Sequence, residues 1–293
     1  MRQRGYRNTL GYFVSLLALA ALWACARLII GAPRQEPSPQ SARSASANSR
    51  IIWAPGIAHG PENLNLVFQY KDFSDVSGLT FNGNAEQSGR LLFVTPPAGS
   101  QAGSVWYSNQ VNVAQGFQTS FGIKLVPGNG CIGDGLAFLI QNSGLSALGL
   151  AGGDLGYTGI ANSVAVEFDT YLNSNYYDPN NNHIGIQSCG TAANTADHGM
   201  CHLGIQPNPG ITLSDGNGHL VSVGYFPGSK NTGLLTVSID HQFVLTAPVD
   251  LSTLLSLNGN DAWVGFTAGT GACFETNAVR AWEFGSVGSA GSE

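Results

Sequence analysis

From residue 51 onward, short apolar runs alternate with polar positions, and Gly, Asn, Ser and Pro separate them. Alternation over four to eight residues marks a strand with one buried face, and the breaks mark turns. The pattern predicts strands over 64–70, 79–82, 91–95, 116–125, 135–141, 163–171, 183–187, 219–226, 234–239, 242–247, 262–268 and 278–284. Many short strands at this spacing argue for an all-β sandwich or barrel, not an α/β fold. Neither a second domain nor a repeat interrupts the pattern, so residues 51–293 are read as one domain.

The first fifty residues follow a different pattern. Arg2, Arg4 and Arg7 precede an apolar run from Leu10 to Ala26, the form of an export signal. Ala24-Cys25-Ala26 offers a small-x-small cleavage site, and Leu22-Trp23-Ala24-Cys25 resembles a bacterial lipobox, in which Trp23 fits poorly. Leu28–Ala32 would extend the run toward the length of a membrane span. Residues 1–32 are therefore expected to be a signal peptide, a lipid anchor or a membrane anchor. Each leaves the rest outside the cytoplasm: secreted, periplasmic or anchored at the cell surface. Residues 33–50, rich in Pro, Ser, Ala and Gln, read as a flexible linker.

Charge sharpens the division. The whole chain carries −6, but residues 1–50 hold seven basic residues and one acid, so five basic and seventeen acidic residues give the remainder −12. Such a domain repels polyphosphate, which excludes a nucleic-acid partner, and it suits divalent cations. With Cys25 inside the apolar run, four cysteines remain: Cys131, Cys189, Cys201 and Cys273. An even number in an exported chain favours two disulfides. Of three connectivities, Cys189 with Cys201 is the local one, and Cys131 would then pair with Cys273.

The stretch 164–186, VAVEFDTYLNSNYYDPNNNHIGI, carries the candidate chemistry. In a strand, residues two apart share a face, so Glu167, Asp169 and Tyr171 are expected on one side. Adjacent carboxylates repel unless a cation, a proton or an arginine compensates. No arginine or lysine lies between Lys124 and Lys230, so a cation is the simplest remedy. Asn173 adds an amide oxygen, Asp178 a third carboxylate and His183 an imidazole. Hard oxygen ligands suit Ca²⁺, and carboxylates with one imidazole suit a transition metal such as Mn²⁺.

The same stretch resembles the legume-type (L-type) lectin family, to which concanavalin A belongs. The segments DFSDVSGLTFNGNA (72–85), GRLLFVTP (89–96), GSVWYSNQV, GFQTSFGIKL, GDGLAFLIQ (133–141), GGDLGY (152–157) and VGFTAGTGACFETNAVRAWEF (264–284) extend the resemblance in order along the exported part. It implies a concanavalin A-like jelly roll of two antiparallel sheets, with paired ions beneath a shallow sugar site. The implied transition-metal ligands are Glu167, Asp169, Asp178 and His183. The implied Ca²⁺ ligands are Asp169, the Tyr171 carbonyl, Asn173 and Asp178. Sugar contacts would come from Asp134, Gly153 and Asn173, with the Tyr171 ring against the sugar's apolar face and backbone amides of Ala272 and Cys273 nearby. A cis peptide is implied before Asp134. The implied partners are glycans or glycoconjugates, and homo-oligomerisation stays open. The length of the final loop resembles that of mannose/glucose-binding relatives. A Cys131–Cys273 disulfide would tie two walls of the sugar site together.

Two other readings compete. A glycoside hydrolase on the same sandwich would need two carboxyl groups flanking the bond, one as nucleophile and one as acid. The second Glu expected three residues beyond Asp169 is Leu172. The other reading is an adhesive or structural module without sugar binding, against which Asp134, Gly153 and Asn173 argue. Two further features carry less weight. His198, Cys201 and His202 resemble a zinc cluster but sit in a loop-like segment, and Cys201 is expected in a disulfide. His59, His219 and His241 are isolated and read as ordinary surface or strand histidines.

Overall fold

The computed structural model describes residues 64–128, 130–229 and 232–287. The expected signal or anchor (1–32), the linker (33–50) and His59 lie outside them. Strands are numbered along the chain. One eight-stranded sheet runs β14 (Gln242–Pro248), β13 (Leu234–Ile239), β12 (His219–Phe226), β7 (Phe117–Pro127), β16 (Glu275–Val287), β4 (Leu91–Thr95) and β3 (Glu86–Ser88), and β1 (Leu64–Tyr70) also pairs with β16. The other runs β11 (His202–Gln206), β10 (His183–Gln187), β9 (Ser163–Asp169), β8 (Gly135–Gln141), β15 (Asp261–Gly269), β5 (Ala102–Tyr107) and β2 (Leu79–Gly83), and β6 (Val111–Asn112) also pairs with β15. Every pairing is antiparallel. The architecture is the expected all-β sandwich of two antiparallel sheets.

Alternation explains the core. Val164, Val166 and Phe168 of β9 point between the sheets, where Phe121, Phe266 and Trp282 meet edge to face at 4.9 and 4.7 Å. Each such fully buried side chain contributes about 1.5–3 kcal/mol. The opposite face of the second sheet is covered as well. Trp106, Ala137, Leu139 and Ala165 pack there against Leu155 and Tyr157 of the long β8–β9 loop. The Trp106 indole donates to the Ala147 carbonyl at 2.9 Å, holding that loop down. Strand β9 is thus buried on both faces, which allows a carboxylate on it to lie out of water.

The structure differs from the sequence expectations in two respects. Strand β9 stops at Asp169, not at 171. The Asp169 carboxylate accepts the Tyr171 N–H at 2.8 Å, and the Asp134 carbonyl accepts the Thr170 N–H at 2.9 Å. These bonds turn the chain, so Tyr171 does not continue the face of Glu167 and Asp169. Strands β3, β5, β6 and β11 are also absent from the alternation pattern. Two of them have three residues or fewer. β5 is a nearly unbroken buried run that only the family resemblance marks out. β11 follows a loop too irregular to announce it.

Among the described residues two disulfides are present. Cys131–Cys273 joins residues 142 apart in sequence, and Cys189–Cys201 closes a loop of 12.

Candidate functional site

The site forms at one end of β8, β9 and β10. Register sets Glu167 between Ala137 and Gly185, and Asp169 between Gly135 and His183. Small neighbours leave room for the longer side chain. A Cβ at Gly185 would lie 2.1 Å from Glu167 Oε1.

Glu167, Asp169 and His183 are buried, and the Asp178 carboxylate is nearly so. Two groups of donor atoms are close enough to share an ion: Glu167 with His183 and His198, and Asp169 with Asp178 and His183. Glu167 accepts a 2.5 Å hydrogen bond from the Tyr157 hydroxyl on Oε2, and its Oε1 lies 3.0 Å from His198 Nε2. His183 Nδ1 contacts the Asn180 carbonyl at 2.9 Å. Because a carbonyl only accepts, Nδ1 carries the proton and Nε2 presents a lone pair to the cluster.

The charges are strongly unbalanced. Burial, then the carboxylates of Asp178 and Glu167, push the Asp169 carboxyl well above its ordinary range. Burial likewise raises Asp178 to about 6. Burial also acts upward on Glu167, but the His198 hydrogen bond and charge outweigh it and hold the group low. Burial lowers His183. On His198, burial acts downward, but the Glu167 hydrogen bond together with the charges of Glu167, Asp178 and Asp197 outweighs it, so that imidazole is raised. Without a cation, then, the cluster resists full ionisation.

The outer side is built by loops. The Gly133–Asp134 peptide is cis. Asp134 is buried, and burial lifts its carboxyl to about 6 against the pull of the Gly271 amide. A Cβ on Gly153 would lie 2.5 Å from Asn173 Oδ1, and one on Gly271 would lie 3.2 Å from Asp134 Oδ2. A Cβ on Gly133 would meet Tyr171 at 3.2 Å and Cys273 at 3.3 Å. Asp134, Gly153, Tyr171, Asn173 and Cys273 therefore line one small region, with Ala272 exposed at its rim. Asn173 N–H donates to Asp178 Oδ2 at 2.6 Å, which couples this region to the carboxylate cluster. Asp134 Oδ2 and Asn173 Oδ1 are buried without a hydrogen-bond partner. Carboxylates, an amide oxygen and imidazole fit a hard cation beside a transition ion.

His198 is a site residue that the sequence reading missed. Cys201, expected in a disulfide, is bonded to Cys189, and His202 is exposed on β11, so the three do not gather as a zinc cluster. His198 turns the other way, is buried, and reaches Glu167 and His183. The available signal was the pair Cys189 and Cys201, which implies a closed loop beside β10.

Known proteins agree with this architecture. A family model described as the legume lectin beta-barrel domain matches residues 69–283. A mannose/glucose-specific lectin of Centrolobium tomentosum is 32% identical over 252 residues, covering 76% of this chain and 96% of that protein. A probable L-type lectin-domain containing receptor kinase of Arabidopsis thaliana is 28% identical over 248 residues, 76% of this chain, and the match spans only 35% of the kinase. The lectin of Bauhinia forficata in complex with GalNAc superposes with a TM-score of 0.60 at 25% identity, covering 76% of this chain and 98% of that one. Most of the described β-sandwich falls within these matches, and the chain belongs to the legume-type (L-type) lectin family.

Proposed function

We propose that this protein is an exported lectin that binds glycans at the Asp134–Asn173 region and depends on Ca²⁺ and a transition metal to do so. The observation that carries the reading is the pair of partnerless buried oxygens, Asp134 Oδ2 and Asn173 Oδ1, beside three carboxylates. Unpaired buried polar atoms cost about 1–3 kcal/mol each, so such a pair points to ligands.

Glu167, Asp169, Asp178 and His183 would hold the transition ion. Asp169, the Tyr171 carbonyl, Asn173 and Asp178 would hold Ca²⁺. When bound, the two ions neutralise the carboxylates and fix the Asn173 oxygen. The Asn173 NH₂ then donates to a sugar hydroxyl while Asp134 accepts from one, a match to groups that both donate and accept. Gly153, without a side chain, leaves the approach open, and the Tyr171 ring offers an apolar surface. The backbone amides of Ala272 and Cys273 complete the rim, and the Cys131–Cys273 disulfide ties that rim to the Asp134 loop.

The domain performs no chemistry on the sugar. It belongs to a lectin family, and exposed Leu172 stands where the hydrolase reading requires a second Glu. A mannose/glucose preference is the finer reading, supported by the length of the final loop and by the Centrolobium relative's name. Residues 1–32 would export or anchor the domain, and 33–50 would tether it.

Glycan-array binding with and without a chelator, beside Asp134→Ala and Asn173→Ala, tests the proposal. Binding should vanish in all three cases. Binding unaffected by any of them overturns the site, and a galactose-only profile overturns the mannose/glucose preference alone.

A further inference from the structure

We propose that His198 is an additional protein ligand of the transition-metal site, so that this site takes two imidazoles and prefers a late first-row ion such as Zn²⁺ over Mn²⁺. The inference rests on the metal-dependent reading above and extends it to a residue outside the four ligands implied by the resemblance.

Three observations converge on His198 Nε2. It lies 2.9 Å from His183 Nε2, 3.0 Å from Glu167 Oε1 and 3.6 Å from Asp178 Oδ1. Neighbouring ligand atoms on one ion, each bonded at about 2.0–2.2 Å, are separated by roughly 2.8–3.6 Å, the spacing found here. His183 Nε2 already presents a lone pair, since its Nδ1 faces the Asn180 carbonyl. Two imidazole nitrogens facing each other at this distance share one proton or one cation.

The residues behind the His198 ring also support a cation. Gln187 is fully buried, its amide nitrogen is drawn 2.6 Å from His198 Nδ1, and its Oε1 has no partner. Amide oxygen and nitrogen are assigned from their hydrogen bonds. Rotating the amide gives Oε1 a donor, Nδ1–H of His198, and gives up only the long 3.4 Å hydrogen bond from the Gln187 amide to Glu167 Oε1. That tautomer leaves Nε2 as a ligand, and a metal-bound histidine commonly donates its other N–H to an oxygen in this way.

The loop is built to deliver the ring. The Cys189–Cys201 disulfide closes the segment, and His198 N–H donates to the Tyr176 carbonyl at 2.9 Å. Gly185, which leaves room for Glu167, also lies against the ring, since a Cβ there would fall 2.9 Å from His198 Cε1. Three carboxylates and one imidazole suit Mn²⁺, and a second imidazole favours the later, more nitrogen-seeking ions.

X-ray absorption at the Zn K-edge of the Zn²⁺-loaded wild-type protein should count two imidazoles. In competition titrations the wild type should select Zn²⁺ over Mn²⁺. His198→Ala should weaken Zn²⁺ at least 100-fold, weaken Mn²⁺ less, and leave Ca²⁺ affinity within about threefold. Gln187→Ala, which removes only the supporting amide, should weaken Zn²⁺ about tenfold. One imidazole in the wild-type spectrum overturns this inference and leaves the metal-dependent lectin reading intact. Failure to bind any transition ion overturns both. The spectrum needs no variant, so a misfolded His198→Ala would not protect the proposal.

Discussion

Two buried carboxyl environments lie back to back near Thr170, and they are satisfied in different ways. Glu275, at the start of β16, accepts hydrogen bonds from the hydroxyls of Thr170, at 2.6 Å, and of Ser214. Burial lifts its carboxyl to about 7 despite them. It is one acid with two neutral donors, and a proton completes it. Asp169, one residue before Thr170 in the chain, faces Asp178 and Glu167. Its own hydrogen bond comes from the Tyr171 amide. Hydroxyls and protons can settle a lone buried acid. Three carboxylates with an orphaned amide oxygen beside them call for positive charge.

That contrast can be broken most forcefully by removing metal. Chelation at pH 7.5 should destabilise the protein by about 4 kcal/mol for each ion held at a thousandfold above its Kd. For a domain of this size that is roughly 10 °C in Tm for each ion, measured by calorimetry with and without chelator and restored by adding ions back. An unchanged Tm would mean that the cluster, like Glu275, is content with protons.

Asp134→Asn keeps shape and removes the acceptor-only oxygen pair. It should weaken glycan binding by about 2 kcal/mol, near 30-fold, in isothermal titration, with little change in Tm. Unchanged affinity would separate Asp134 from the site.

The chelated protein should also lose stability as pH rises. Unfolded Asp and Glu titrate near pH 4, whereas Asp134 and Asp178 are raised to about 6 and Glu275 to about 7. Raised groups contribute stability that is full below about pH 4 and lost as pH climbs through 6 to 7. Glu167, held low, acts in the opposite sense but only at lower pH. Loaded protein should show a smaller decline, since ions replace the protons at the cluster and leave Glu275 unchanged. Equal pH profiles in the two forms would count against a cation at Asp178.

Glu275→Gln should have the smallest effect. In the chelated protein it should raise stability relative to wild type by about 1 kcal/mol at pH 8.5 and not at pH 5.5, read by urea melts at both values. A gain at neither pH would show that the two hydroxyls already hold Glu275 ionised.

Alternation in the chain made the sandwich legible, and several predicted bounds coincide with observed strands, among them Leu64–Tyr70, Gly135–Gln141 and His183–Gln187. The end of β9 was less legible. Its stop at Asp169 depends on a side chain accepting the Tyr171 amide and on a carbonyl from the distant Asp134 loop. Glu167, Asp169, Asp178 and His183 stood out because they crowd one stretch without a nearby basic residue. His198 did not, because its nearest sequence neighbours suggested a different cluster and its contacts come from β9 and β10.

The chain alone determined what a period of two and a local charge imbalance can determine: which residues enter the core, and that a buried strand carries more negative charge than its neighbours can neutralise. Those properties depend on residues a few positions apart. Tertiary structure decided which distant groups meet there. It brought Asp134 beside Gly271 and Asn173 beside Gly153, left an oxygen on each of Asp134 and Asn173 without a partner, and swung His198 in against Glu167. Such meetings depend on loop paths and disulfide closure over long sequence separations, which no local pattern encodes.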